Sequence, residues 1–198
     1  MLPPTSPGSP RPEPVRALDG DGRPRPALRL RDATPDDAPG VARVHVDSWR
    51  RAYHGLLDPD YLASLSVEGL SPHWEGIITG RADDRLVVVE SDGLVQGFAH
   101  VGPSHDEDAV PGTTEMYKLY VHPDRWGRGL VRAVHDAALE GLAGTGSRLV
   151  TLWVLGTNGP ARHFYQRLGW SQVGGARVQY FGTTVCHDDR YARALPVG

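Results

Sequence analysis

Hydrophobic and polar positions acquire a regular rhythm from Leu28 onward. "LRLRDA" alternates apolar and charged residues and predicts a short strand. "TPDD" then supplies a helix start, with Thr34 as N-cap, Pro35 at the first helical position, and Asp36 and Asp37 near the positive end of the dipole. Val41, Val44 and Trp49 fall roughly on one face of that helix. "YHGLLDPD" breaks it, and Asp58 and Pro59 start another helical stretch through "YLASLS" towards Trp74. "RLVVVE", the turn "SDG" and "LVQGFAHVG" predict a hairpin, since β-branched runs flank a compact Asp-Gly turn. The remaining elements are the strand "TTEMYKLYV", the helix "LVRAVHDAALEGL", the buried strand "RLVTLWVL" and the helix "NGPARHFYQRLG", which Gly169 ends at C′. "WSQVGGARVQYF" and "CHDDRYARAL" close the sheet as strands. The order β-α-α-β-β-β-α-β-α-β-β predicts an α/β fold with mixed strand directions, because hairpins give antiparallel neighbours and a helical crossover gives a parallel pair.

Composition adds a boundary. Eight of the 17 prolines lie in residues 1 to 27, where each removes a backbone donor and restricts its predecessor, so this segment is expected to be a disordered or loosely draped tail before a single domain at 28–198. A formal net charge of -3 with a 39% hydrophobic fraction excludes the wholesale basicity of a nucleic-acid coat and the polarity of a disordered chain. Neither a nucleic-acid nor a membrane partner is expected: no segment approaches the roughly 20 apolar residues of a membrane span, and the N-terminus lacks the apolar core of a secretory signal. The lone Cys186 forbids an intrachain disulfide and a cysteine-based zinc site; it reads as a half-buried strand cysteine in a reducing, cytoplasmic setting. No metal is expected.

The stretch "EMYKLYVHPDRWGRGLVRAVHDAALEGL" carries the candidate chemistry. Its turn exposes the first N–H groups of a helix, where the dipole favours negative charge. Gly127 and Gly129 allow positive φ and a close ligand, while Arg125, Arg128 and Arg132 surround the turn with cations. The spacing matches neither "GxxxxGK[ST]" nor "GxGxxG", so a nucleotide loop of either standard kind is not indicated. A glycine-softened turn with solvated arginines fits the spacing equally well.

"LYVHPDRWGRGL", followed by an amphipathic helix, a strand and then "NGPARHFYQRLGW", resembles the GNAT superfamily of acetyl-coenzyme A dependent N-acetyltransferases. Against that family's Q/R-x-x-G-x-G/A pattern, Trp126 stands at the Q/R position, Gly129 at the central glycine and Val131 where glycine or alanine is usual. The second motif matches "N-x-x-A-x-x-x-Y-x-x-x-G-F" almost position by position, and the resemblance spans about Leu28 to Leu195. It implies a mostly antiparallel sheet with two splayed parallel central strands, Thr114 to Val121 and Arg148 to Val154, flanked by about four helices. It further implies acetyl-CoA as co-substrate. Backbone groups of Leu119, Tyr120 and Val121 would pair with the pantetheine arm, the turn Trp126, Gly127, Arg128, Gly129, Leu130, Val131 and Arg132 would hold the pyrophosphate, and Asn158 would lie on the pantetheine side. Tyr165 matches the family's general acid, which protonates the departing thiolate. Glu115 matches a glutamate that some members use as the base, directly or through a water; a solvent-facing strand glutamate is the alternative.

Trp49, Tyr53 and His54, near the break after the first helix, are candidates for the acceptor pocket; Trp49 and Tyr53 lie four apart on one face and equally suit packing on the sheet. His122 reads as a turn residue and His163 as a surface residue. The function implied is N-acetylation of a primary amine of a small molecule. Peptide or protein N-acetylation, a coenzyme-binding or partner-binding module with little turnover, and a homodimer are left open.

Overall fold

The computed structural model describes residues 28–80, 82–142 and 144–196; the segment expected to be a tail, 1–27, lies outside them. Its twelve main elements are β1 (Arg29–Asp32), α1 (Ala38–Ala52), α2 (Pro59–Ser64), α3 (Val67–Thr79), β2 (Arg85–Ser91), β3 (Leu94–Pro103), β4 (Thr113–Val121), α4 (Leu130–Glu140), β5 (Leu149–Leu155), α5 (Gly159–Arg167), β6 (Ser171–Phe181) and β7 (Thr184–Ala194). The strands form one sheet in the order β1-β2-β3-β4-β5-β7-β6. All neighbours are antiparallel except β4 and β5. The mixed sheet with a central parallel pair is therefore as expected.

Helices cover both faces, which explains why β2 and β3 read as nearly continuous apolar runs rather than alternating ones. Leu86, Val88 and Phe98 pack with Val41, Val44 and Trp74 beneath α1 and α3. Val89, Ala99 and Val101 turn to the other face and join Val134, Ala138, Leu152, Trp170 and Tyr191 beneath α4. A third cluster, Trp49, Leu57, Leu62, Leu155 and Cys186, closes the region under α2.

Among the described residues there are five α-helices where about four were expected. The stretch expected to run from Pro59 towards Trp74 is two helices, because Leu65 and Ser66 are extended and Ser66 caps α3, its hydroxyl accepting from the Gly69 N–H at 3.0 Å. The first helix is preceded by a single 3-10 turn, Pro35–Asp37. Asp37 does more there than complement a dipole: its carboxylate accepts from the Thr34 N–H at 2.8 Å and is gripped by both Arg31 terminal nitrogens at 2.6 and 2.8 Å, tying β1 to the helix start. At the other end of the chain, Gly169 follows the last turn of α5 with φ 82°, the expected helix stop.

Candidate active site

β4 and β5 pair in parallel over only three residue pairs, Thr113 with Leu149, Thr114 with Val150 and Glu115 with Thr151. Beyond them β4 remains paired to β3 as far as Val121, and β5 to β7 as far as Leu155, so the two strands part while each stays anchored. A cavity of about 230 Å³ fills the divergence. It is lined on one face of the sheet by Val131, Ala161 and Tyr165 and on the other by Trp49, Tyr53 and Phe181, and so passes through the sheet.

The strand register decides which backbone groups face this gap. The His122 N–H donates to the Gln96 carbonyl of β3 at 2.8 Å. Successive residues point their main-chain groups to opposite sides, so those of Tyr120 turn to β3 and those of Leu119 and Val121 turn to the gap. The Val121 carbonyl is already occupied, accepting from the Trp126 indole N–H at 2.7 Å and the Ser48 hydroxyl at 3.1 Å. Tyr120 contributes its ring instead, which lines the cavity.

A β-bulge changes the parity of β4 in mid-strand. His100 faces Lys118 but Val101 faces Met116, leaving Tyr117 as the extra residue. Met116 therefore packs in the core beneath α4, as it must to be buried there. Without the bulge Lys118, two residues on, would share that apolar face; with it, Lys118 projects to the α1 side, where its charge acts on His45 and His100.

The turn after β4 contains a 3-10 turn, Pro123–Arg125, and then the two glycines. Gly127 and Gly129 both have positive φ, 73° and 79°, and a Cβ on either would meet nothing within 4 Å. Gly129 is the N-cap of α4 and offers no side chain to the first turn of the helix. Trp126 and Val131 line the cavity at this end. Arg125 donates to the Gln96 side chain at 3.2 Å, Arg132 pairs with Asp136 at 3.3 Å, and Arg128 is exposed.

Tyr165 is half-buried by α5, packs against the core beneath α4 and lines the cavity; loss of water, then the nearby Tyr53, pushes its phenol pKa well up. Asn158 lines the same space while its Oδ1 accepts from the Ala161 N–H at 3.2 Å, capping α5. Burial also raises the Tyr53 pKa, against opposing hydrogen bonds with Tyr120 and Asn158. Glu115 is 4% exposed and sits at the fork where the gap opens, but it is not part of the cavity lining. Its carboxylate accepts from the His105 N–H at 3.2 Å, and burial raises its pKa. Glu115 is thus buried rather than the solvent-facing strand glutamate of the alternative reading.

Trp49 and Tyr53 both reach the cavity, and His54 does not. α1 ends at Ala52, and the chain then turns through Gly55 at φ 75°, which leaves His54 exposed in a separate depression with Arg50, Pro59 and Leu62. The sequence reading also missed Lys118, Trp153, Arg177, Gln179 and Asp188, all of which line the cavity. The spacing of 177, 179 and 181 places three residues on one strand face, a signal that exists in the sequence. Their arrival beside β4 depends on the β6–β7 register, which does not.

A protein-family model described as the acetyltransferase (GNAT) family matches residues 45–170, a span that includes the gap, the glycine turn and α5. The chain belongs to this family. The uncharacterized N-acetyltransferase YuaI of Bacillus subtilis is 33% identical over 140 residues, 70% of this chain and 78% of that protein. A mycothiol acetyltransferase of Actinosynnema mirum is 40% identical over 99 residues, half of this chain but 31% of that protein. An N-acetyltransferase of Staphylococcus aureus superposes with a TM-score of 0.69 at 18% identity, covering 86% of this chain and 99% of that one. PaiA N-acetyltransferase of Thermoplasma acidophilum, solved in complex with coenzyme A, superposes with a TM-score of 0.64 at 17% identity, covering 85% and 99%. These last two share the fold. As a GNAT member the chain is an N-acetyltransferase by class.

Proposed function

We propose that this GNAT protein transfers the acetyl group of acetyl-CoA to a primary amine of a small molecule. The observation that carries the reading is the gap: two parallel strands that separate after three pairs leave strand-edge groups for an extended amide-bearing arm, with a helix N-terminus at one end for its phosphates. Leu119 and Val121 face that arm, Asn158 flanks it, and the turn 126–132 receives the pyrophosphate.

In the transfer the amine nitrogen attacks the thioester carbonyl, the C–S bond breaks as the tetrahedral intermediate collapses, and the sulfur takes a proton. Tyr165 supplies it. Its raised pKa keeps the phenol protonated through the neutral range, so the donor is present whenever the thiolate forms. The proton lost from the ammonium goes to Glu115. Because Glu115 lies at the fork and not in the lining, it acts through a bridging water, and burial makes its carboxylate a stronger base than a solvated one.

A small acceptor is favoured over a polypeptide by the cover on the α1 side. Asp58 accepts from both the Thr183 N–H and hydroxyl, at 2.7 and 2.6 Å, tying the α1–α2 connection to the β6–β7 turn. A polypeptide acceptor would have to part that tie. The mycothiol acetyltransferase, named for a small molecule and not for a polypeptide, is in keeping with this. The test is release of free coenzyme A thiol across a panel of amines, with the acetylated product identified by mass. Coenzyme binding without thiol release from any amine would establish a binding module in place of an enzyme.

A further inference from the structure

Lys118 is the one cavity-lining lysine, and no hydrogen bond or ion pair engages its ammonium group among the described residues. The bulge at Tyr117 sends it to the acceptor side, away from the glycine turn. Arg177, on β6, lines the same space with its guanidinium 4.8 Å over the Trp153 ring. Two cations thus converge on one partly closed cavity, near enough that Arg177 disfavours the charged form of Lys118. Burial is the larger influence in that direction, and Asp188 and Glu115 oppose it. Among the lining residues Asp188 is the counter-charge, and it is already engaged: Gln179 donates to its Oδ2, and Arg177 approaches that atom at 3.4 Å.

With Asp188 committed to Arg177 and Gln179, Lys118 lacks an anion. The coenzyme does not supply it, since its pantetheine arm is neutral and its phosphates belong at the turn Trp126 to Arg132, at the far end of β4. The missing charge must come from the acceptor. Resting on the proposed acetyl transfer, we infer that the acceptor amine carries a carboxylate, as an amino acid does, and that Lys118 and Arg177 bind that carboxylate while its amino group points to the thioester. Lys118 is then a specificity-determining residue. The site is complementary to a zwitterion: cations Lys118 and Arg177 for the acid group, and Glu115, buried at the fork of β4 and β5, for the proton that the ammonium loses. A carboxamide of the same shape would leave the Lys118 ammonium without a counter-charge in a site where burial already disfavours its charged form.

The experiment uses the full chain and acetyl-CoA, with matched pairs of acceptors: β-alanine and α-amino acids, their carboxamides, and the corresponding alkylamines. Acetyl-CoA affinity is measured first; no binding would remove the proposed transfer itself. Given binding, the expected result is a kcat/KM at least tenfold higher for carboxylates than for carboxamides. In Lys118→Met the preference collapses towards unity through a raised KM, and in Lys118→Arg it is retained, with thermal midpoints checking the fold. Equal rates for carboxylate and carboxamide in the wild type, or turnover of no member of the panel, would overturn the inference and leave coenzyme binding standing. A fall in kcat with unchanged KM and a displaced pH profile in Lys118→Met would also overturn it, making the lysine a proton-transfer group.

Discussion

Replacing Gly129 by alanine separates the coenzyme role of the glycine turn from its role in folding. Gly129 has φ 79° and ψ -4°, a left-handed conformation that an L side chain enters at a cost of about 1–2 kcal/mol. The added Cβ would meet nothing within 4 Å, so no steric cost adds to the backbone cost. For a domain of this size the loss corresponds to a midpoint lower by about 2–4 °C for each 1 kcal/mol. The methyl group instead enters the space above the first turn of α4, where the pyrophosphate oxygens must approach the free N–H groups. Affinity for acetyl-CoA should fall at least tenfold, about 1.4 kcal/mol. Gly144→Ala is the matched control: its φ is 80°, its Cβ also meets nothing, and it lies in the α4–β5 connection. Calorimetric titration with acetyl-CoA and thermal unfolding of both variants give the four numbers required. Comparable losses of midpoint with an affinity loss confined to Gly129→Ala support the placement; unchanged affinity in Gly129→Ala refutes it.

Other expectations are independent of that one. Tyr165→Phe should reduce kcat by about a hundredfold or more at every pH from 6 to 9, and the wild type should show no loss of activity from phenol ionisation in that range, both read from initial rates of thiol release. Glu115→Gln should lower turnover with little change in coenzyme affinity, and the deficit should shrink as pH rises because more of the amine is already neutral; a pH-independent deficit would remove Glu115 as base. Asp37 has a carboxyl pKa of about 2, below its ordinary 3.8, because Arg31 donates to it; its pairing therefore stabilises the fold above about pH 4, and the contribution is lost as pH falls towards 2. Asp37→Asn should cost about 2 kcal/mol in denaturant unfolding at pH 7, and the difference from wild type should narrow in acid.

Local pattern carried the fold a long way because each element announces its ends: Pro35 before α1, the Asp-Gly turn between β2 and β3, Asn158 and Gly169 bracketing α5. Ser66 was as legible a cap as Thr34, yet the helix-forming residues on both sides of it concealed the break. The glycine turn was visible for the same local reason, whereas Tyr165 was singled out only through the resemblance of "NGPARHFYQRLGW" to the family's second motif. The acceptor side was not visible. "EMYKLYV" reads as one uninterrupted strand, and only its pairing with β3 shows that Tyr117 is a bulge and that Met116 and Lys118 face opposite ways. Arg177 and Asp188 meet through a hairpin whose register shifts between Gln172 and Ala176, around Gly174 and Gly175, so no fixed spacing links them. His54 fails for the opposite reason: its neighbours Trp49 and Tyr53 are placed by helical periodicity, but the helix has ended before His54 is reached.

The central claim, that an acetyl-CoA arm occupies the gap between β4 and β5, is tested most directly by a crystal structure of the full chain with acetyl-CoA. Density for the pantetheine arm should run between Leu119–Val121 and Trp153–Leu155, with the thioester beside Tyr165 and the pyrophosphate over Gly129. A coenzyme bound elsewhere, or a gap closed by continued β4–β5 pairing with no coenzyme in it, would contradict the account.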